Sequence, residues 1–489
     1  MPVQQERSEL AVQHERAVLA AVRLPGDTFD KNDPFGELRS LAEQAGAAVV
    51  GELSQNLSRP VSATYMGPGK VSELKAFCEQ VGAKTIIFDH ELSPKQIANL
   101  ERETLRKVLD RSELILDIFA SRATSSEAKL QVELAQLEYT YPRLKAMWSH
   151  LERISGGIGS KGPGEQQLEI DRRLVQSRKI DLERDLKVVQ ERKRREVQKR
   201  KSEHFTVGVV GYTNAGKSTL FNALTAGGAY ADDRLFATLM TRTRDWDLGS
   251  GLSVMLSDTV GFVRNLPHNL IAAFRATLEE ATHADLLLIV LDVADPAAEL
   301  HYQTVIDTLD ELIGEVQKHE AKEKHRYSPP PRLLLLNKAD LLRNNSELLV
   351  WQQRVPGAIP MSAKEIAGDP NHPALVHMRD LIRQQVAGEV EEVLVTVPLS
   401  DSKTVHLIES RGEVLERGYN ESNATLRVKI GRRSLSQIAS QAGPGRHSRL
   451  QVADLVGRTI EIGPFSAGLA AGEHPKRPGW TAGTASEST

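Results

Sequence analysis

The residues best equipped for chemistry lie at 211–218, GYTNAGKS, which fit the pattern G-x-x-x-x-G-K-[ST]. In such a loop successive backbone N–H groups turn inward and cradle a phosphate, helped by the N-terminus of the following helix. Gly211, Tyr212, Thr213, Asn214, Ala215, Gly216, Lys217, Ser218 and Thr219 are therefore expected to line a nucleotide. Lys217 would reach the β and γ phosphates, and the Ser218 hydroxyl would bind Mg2+. The flanks agree, since FTVGVV before the loop reads as a strand and STLFNALTA after it as a helix.

Three later motifs decide which base is read. In LSDTVGF a strand delivers Asp258 to the outer shell of the metal; Thr259 and Val260 follow, and Gly261 offers an N–H to the γ-phosphate. In LLLLNKAD, Asn337, Lys338, Ala339 and Asp340 follow a strand. A carboxylate there accepts from guanine N1–H and the 2-amino group, whereas adenine has neither donor. Asn337 would contact N7 or tie the loop to the phosphate loop, and the Lys338 stem would cover the base. Finally MSAK places Ser362, Ala363 and Lys364 where a backbone N–H meets guanine O6. The expected ligands are GTP and GDP with Mg2+ rather than ATP.

Around these motifs the chain must supply several units. Its 489 residues are enough for several cores, and with 62 basic and 65 acidic residues any nucleic-acid surface must be local. The single cysteine, Cys78, forbids an intrachain disulfide and reads as a small buried side chain. The start, MPVQQERSEL, lacks the apolar core of a secretion signal, and the longest apolar run, ADLLLIVLDVAD, is too short to span a bilayer. A cytoplasmic monomer without a transmembrane segment is expected.

The fold class expected is α/β: a P-loop GTPase domain with a doubly wound, mostly parallel sheet, an N-terminal α/β plus helical-hairpin domain, and a small C-terminal α+β module. Residues 1–124 alternate strand-like and helical runs, as a parallel sheet requires, with GPGK at 67–70 starting a helix rather than binding phosphate. Residues 125–203 read as an antiparallel helical hairpin, with Leu130, Leu134, Leu137, Tyr141, Leu144, Trp148 and Leu151 along one helix. Leu168, Val175, Leu182 and Val189 mark the other, Pro142 is expected to kink or break the first, and GGIGSKGPGE at 156–165 forms the tip. The GTPase domain takes 204–388 and the C-terminal module 389–466, ending near Pro464; 467–489 is expected to be disordered. The charged stretch 314–332 reads as a mobile connection, and His150, His268 and His283 lack metal-ligand spacing. ERKRREVQKRK at 191–201 is either a solvated helix face or a phosphate-backbone contact.

Taken together, the sequence resembles the translation-factor-related GTPases, and within them the HflX family, over almost the whole chain to about Pro464. GGIGSKGPGEQQLEIDRR, DRSELILDIFASRA and GYTNAGKSTLFNALT carry the likeness. The resemblance supplies switch I: Phe236, Ala237, Thr238, Leu239 and Met240, with the Thr238 hydroxyl completing the metal shell only with GTP. The sequence departs from the family pattern at Met240, Thr241 and Arg242, at Lys161 where arginine is usual, and at Gln166 where threonine is usual. Lys217, Thr238 and Gly261 are the expected catalytic residues; Phe262 stands where Ras-like enzymes carry a water-orienting glutamine. Asn214 either binds K+, as in related GTPases, or merely caps its loop. By the same resemblance the partner is the large ribosomal subunit and its rRNA, and the activity is splitting stalled ribosomes during stress. Two other readings stay open: a switch acting on a protein partner, and an RNA-remodelling NTPase that uses ATP in the N-terminal domain.

Overall fold

The computed structural model describes residues 15–27, 29–30, 32–154, 163–225, 242–249, 252–264, 280–322, 327–387, 390–420, 422–431, 434–435, 438 and 451–453. Of the loop expected at 156–165, residues 156–162 lie outside them, as do the switch I residues 236–240, His268 and the tail at 467–489, whereas residues 163–165 form the first turn of a helix.

The N-terminal sheet is wholly parallel, in the order β2-β1-β3-β4. Its strands are β1 (Arg16–Arg23), β2 (Ala48–Asn56), β3 (Thr85–Phe88) and β4 (Lys107–Asp110). Residues Ala17 to Val22 of β1 are all inaccessible to solvent, because helices cover both faces, so this strand is a continuous apolar run rather than an alternating one. The helices are α1 (Gly36–Gln44), α2 (Pro68–Val81), α3 (Pro94–Thr104) and α4 (Arg111–Arg122). Local chemistry fixes their starts. Pro68 follows the Gly67 cap, so GPGK does open a helix; Ser93 and Gln96 form a capping box; and the Asp110 carboxylate accepts from the Glu113 N–H at 2.9 Å. Cys78 is buried, as expected.

Two long helices follow, α5 (Ser126–Ile154) and α6 (Pro163–Glu203). Leu134 of α5 packs with Leu182 and Leu186 of α6, and Arg178–Glu133 and Lys179–Glu138 ion pairs at 3.0 Å flank that seam. Of the kink or break expected at Pro142, the break does not occur: the helix continues through it, since a proline forfeits one backbone hydrogen bond and the turns on either side hold the rest. One expectation needs correction. The α6 seam falls at Leu182 and Leu186, while Val175 and Val189 are only half-buried. The partner helix spends its other face, through Val132 and Ala135, on the N-terminal core.

The central sheet has the order β10-β9-β8-β5-β7-β6. It comprises β5 (Thr206–Gly211), β6 (Arg242–Gly249), β7 (Leu252–Asp258), β8 (Leu286–Asp292), β9 (Arg332–Asn337) and β10 (Ile359–Pro360). All pair in parallel except β6, which runs antiparallel to β7. Around it lie α7 (Lys217–Thr225), α8 (Ala298–Lys322), α9 (Ser346–Arg354), α10 (Ala363–Gly368) and α11 (Pro373–Ala387). The stretch expected as a loose connection at 314–332 begins as the last turns of α8, and Tyr327 is tied by its hydroxyl to the Thr282 carbonyl at 2.6 Å. His283 meets the Tyr327 ring edge-on.

The C-terminal sheet, β12-β13-β11-β14, is antiparallel. Its strands are β11 (Val390–Pro398), β12 (Glu413–Tyr419), β13 (Asn423–Gly431) and β14 (Gln451–Ala453), with α12 (Ser402–Arg411) packed on one face. Alternate residues Val393, Val395 and Val397 meet Leu426, Val428, Ile430 and Ile408 in its core.

Candidate nucleotide site

The phosphate loop leaves the carboxyl end of β5 at the centre of the six-stranded sheet, where open α/β sheets bind their ligands. Asn214 takes a left-handed conformation at φ 61° and Gly216 one at φ 94°. Glycine is required at 216 for a second reason: a Cβ there would stand 2.2 Å from Asn337 Nδ2. The Lys217 amine is almost wholly buried and donates to the Tyr212 carbonyl at 2.6 Å. Burial pulls that amine down to about 8, against the opposing pull of Asp258. An anion beside it would favour the charged form and oppose that shift.

Ser218 lies in the first turn of α7 and its hydroxyl donates to Asp258 Oδ2 at 2.9 Å. Asp258 is delivered by β7, which pairs with β5 so that Val209 lies opposite it. Next in the chain, Thr259 is anchored by its hydroxyl to the Val209 carbonyl at 2.8 Å. A hydroxyl and a fully buried carboxylate beside a phosphate loop are hard oxygen donors, and this set fits Mg2+. Thr213 Oγ1 is also buried, with no protein partner among the described residues, a further polar atom that a bound phosphate and its waters would satisfy.

Gly261 packs directly on the loop: a Cβ there would lie 2.9 Å from Lys217 Nζ and 2.9 Å from Thr213 Cγ2. Phe262 then bridges Tyr212, its N–H donating to Gly211 at 3.0 Å and its carbonyl accepting from the Thr213 N–H at 2.8 Å. Its ring is buried with Tyr212, Val260 and Val263, so the residue in the water-orienting position serves as core.

Asn337, at the end of β9, joins the two loops beside it. Its Nδ2 donates to the Ala215 carbonyl at 2.7 Å and its Oδ1 accepts from the Ala363 N–H at 2.9 Å. That bond occupies one of the N–H groups expected to read guanine O6. Lys338 sits in a left-handed turn at φ 60°, and its amine pairs with Asp292 Oδ2 at 2.6 Å. Asp340 is exposed in the following short turn, and the Ser362 hydroxyl caps α10 by accepting from Glu365 N–H at 3.4 Å. The structure therefore brings the phosphate loop, Asp258–Gly261, Asn337–Asp340 and Ser362–Lys364 to one end of one sheet. Among the described residues no cluster of three or more His, Cys, Asp or Glu forms a separate metal site, and no helix is long and apolar enough to cross a membrane.

Sequence reasoning missed a second group of residues at this site. The Tyr212 ring stacks on His301 at 3.9 Å, and its hydroxyl leaves the phosphate loop to donate to Glu37 Oε1 of α1 at 2.6 Å. Asp292, the partner of Lys338, was likewise hidden within an apolar run read only as a strand.

Three family models match the chain in succession: GTP-binding GTPase N-terminal over residues 32–120, GTP-binding GTPase Middle Region over 122–200, and 50S ribosome-binding GTPase over 206–338. A protein described as GTPase HflX from Caldanaerobacter subterraneus subsp. tengcongensis is 40% identical over 428 residues, 86% of this chain and 92% of the relative. GTPase HflX of Escherichia coli K12 is 39% identical over 422 residues, 85% and 93% of the two chains. Among solved structures, a GTP-binding protein from Sulfolobus solfataricus in complex with GDP matches 76% of this chain and 98% of its own, at 25% identity and a TM-score of 0.38.

Proposed function

We propose, from the premise that this chain belongs to the HflX family of GTPases, that its GTP-bound form docks on the large ribosomal subunit and splits or rescues stalled ribosomes. Binding guanine nucleotide and hydrolysing GTP come with the family; the ribosome, the stress setting and a cytoplasmic, monomeric mode of action are our reading. What carries it is the position of the hairpin. Helix α5 ends and helix α6 begins on either side of the glycine-rich sequence 155–162, and the far end of α6 carries the basic segment 191–201 and runs to within three residues of β5. Arg192 and Arg195 are exposed there, and lysine and arginine on such a face supply sequence-independent affinity for RNA phosphates.

At the nucleotide, the loop N–H groups and the Lys217 amine hold the phosphates, while Asn337 keeps the base-reading loops in register. Ser218 and Thr238, with Asp258 behind them, would hold Mg2+, which would supply electrostatic stabilisation of charge on the phosphates. Gly261 offers its N–H to the γ-phosphate. Phe262 presents no hydrogen-bonding group to an attacking water, so intrinsic turnover is slow and a docked ribosomal subunit raises it. Asn214, in its left-handed turn, is the residue to which K+ would bind if the rate depends on that ion.

The test is GTP hydrolysis with and without purified large subunits, repeated on a chain lacking residues 156–164. Stimulation that disappears with the deletion supports the proposal. Basal turnover that stays the same with and without subunits removes it and moves the partner to a protein.

A further inference from the structure

The N-terminal sheet order β2-β1-β3-β4 has its topological switch point between β1 and β3, since the chain leaves β1 toward β2 and returns across it to β3. Open parallel sheets bind ligands in the crevice at the carboxyl ends of such a strand pair. Here that crevice holds a side chain of the same protein. Arg264, three residues beyond Gly261, enters it and pairs with Glu37 Oε2 at 3.3 Å and Asp89 Oδ2 at 3.2 Å. Arg111, from the end of β4, closes the back, with Nη2 on Glu37 at 2.6 Å, Nη1 on Asp89 at 2.9 Å and Nε donating to the Arg264 carbonyl at 3.2 Å. Arg23, from the end of β1, completes the set by pairing with Asp89 at 2.9 Å.

The cluster is buried, with Arg111 at 1% exposure, Asp89 at 2% and Arg264 at 7%, so breaking it leaves charge uncompensated in a dry place. It also reaches the nucleotide site directly. Tyr212 of the phosphate loop donates its hydroxyl to Glu37, and the Arg264 N–H donates back to that hydroxyl at 3.0 Å. The chain between Gly261 and Arg264 is thus tied on both sides: by the Phe262 backbone hydrogen bonds to Gly211 and Thr213 of the phosphate loop, and by Arg264 in the N-terminal crevice.

We infer that this crevice is a receptor for Arg264, and that Glu37 and Asp89 are positioning residues that hold Gly261 against Lys217 and so disfavour the γ-phosphate. A γ-phosphate has to lie between the Lys217 amine and the Gly261 N–H. Gly261 must then withdraw, and the movement passes through Phe262 and Val263 to the pinned Arg264. GDP makes no such demand. Because coupling is reciprocal, GTP loosens the crevice by the same factor by which the crevice weakens GTP relative to GDP. The inference needs only guanine-nucleotide binding and is independent of the ribosome.

The experiment compares the full-length parent and Glu37→Gln in Mg2+ buffer, titrating each with fluorescent GDP and a fluorescent non-hydrolysable GTP analogue. The expected result is a rise of about 5-fold or more in the preference for the GTP analogue over GDP, the lower end of typical coupling between sites. A residue that merely supports the fold would lower both affinities together and leave the ratio alone. An unchanged ratio, or one moved toward GDP, overturns the inference. Should Glu37→Gln not fold, Tyr212→Phe, which removes only the linking hydroxyl, is judged by the same ratio.

Discussion

Replacing Asn337 by alanine tests the base-reading half of the site. The side chain is 2% exposed and spans two loops, with its amide N–H on the Ala215 carbonyl at 2.7 Å and its oxygen on the Ala363 N–H at 2.9 Å. The substitution leaves both backbone groups without that partner, at about 1–3 kcal/mol each, or about 2–6 kcal/mol together. In the unbound chain the two loops relieve part of this by parting and admitting water. Nucleotide binding must bring them back, so the relief reappears as lost affinity. At about 1.4 kcal/mol per tenfold, complete relief would weaken GDP binding by about 30-fold to about 20,000-fold, and partial relief by proportionately less. The assay is titration with a fluorescent GDP at fixed Mg2+, with circular dichroism confirming the fold. An affinity within about threefold of the parent in a folded Asn337→Ala chain, a difference below about 0.7 kcal/mol, refutes the reasoning, because Asn337 would then not be what holds the loops.

Asp340→Asn converts an acceptor pair into one acceptor and one donor, and is expected to weaken GTP by about a hundredfold while improving xanthine nucleotides, read in parallel titrations. In the hairpin, Leu182→Ala at a wholly buried position is expected to cost about 2–5 kcal/mol in denaturant unfolding, whereas Arg178→Ala, which removes an exposed ion pair to Glu133, costs less than about 1 kcal/mol. Equal losses from the two would contradict the seam assigned to Leu134, Leu182 and Leu186. Burial pushes the Cys78 thiol up to about 11, so at pH 8 the native chain is expected to leave a disulfide dye unreduced and to react fully only in denaturant. Rapid labelling of the native protein would show that the N-terminal core opens far more readily than its packing implies.

Much of this was legible from the chain because phosphate chemistry constrains residue type at fixed spacing. A lysine following glycine, a serine after it and an aspartate at the end of a strand must recur in one order if their geometry is to converge, and 211–219, 258–261, 337–340 and 362–364 do so. The parallel sheets were legible for a related reason: strands buried on both faces, such as β1 and β8, are nearly uninterrupted apolar runs. In the hairpin the α5 side was legible, since Leu130, Leu134 and Leu137 do meet Leu182 and Leu186; the α6 side was misjudged at Val175 and Val189, because equal spacing along a helix does not tell a half-buried valine from a buried leucine.

The charge cluster lay beyond reach for a different reason. Arg23, Glu37, Asp89, Arg111, Tyr212 and Arg264 share no spacing, and each has an ordinary local explanation: a strand end, a first helical turn, a phosphate-loop residue. Only the fold shows that the three arginines surround two carboxylates. Burial works to raise the Asp89 carboxyl, yet the guanidiniums of Arg111, Arg264 and Arg23 outweigh it and hold it below the usual carboxylate range. Asp89 therefore stays charged although it is almost wholly enclosed, and separating the domains exposes an arrangement that only Arg264 completes. Tyr212 gains its meaning in the same way. Read along the sequence it is an unconstrained position of a phosphate loop; in space its backbone carbonyl receives the Lys217 amine while its hydroxyl receives the Arg264 N–H and gives its own proton to Glu37. One residue thus meets the Lys217 amine of the phosphate loop with its main chain and the N-terminal domain with its side chain. The proposed coupling between the two environments therefore needs a path only one side chain long.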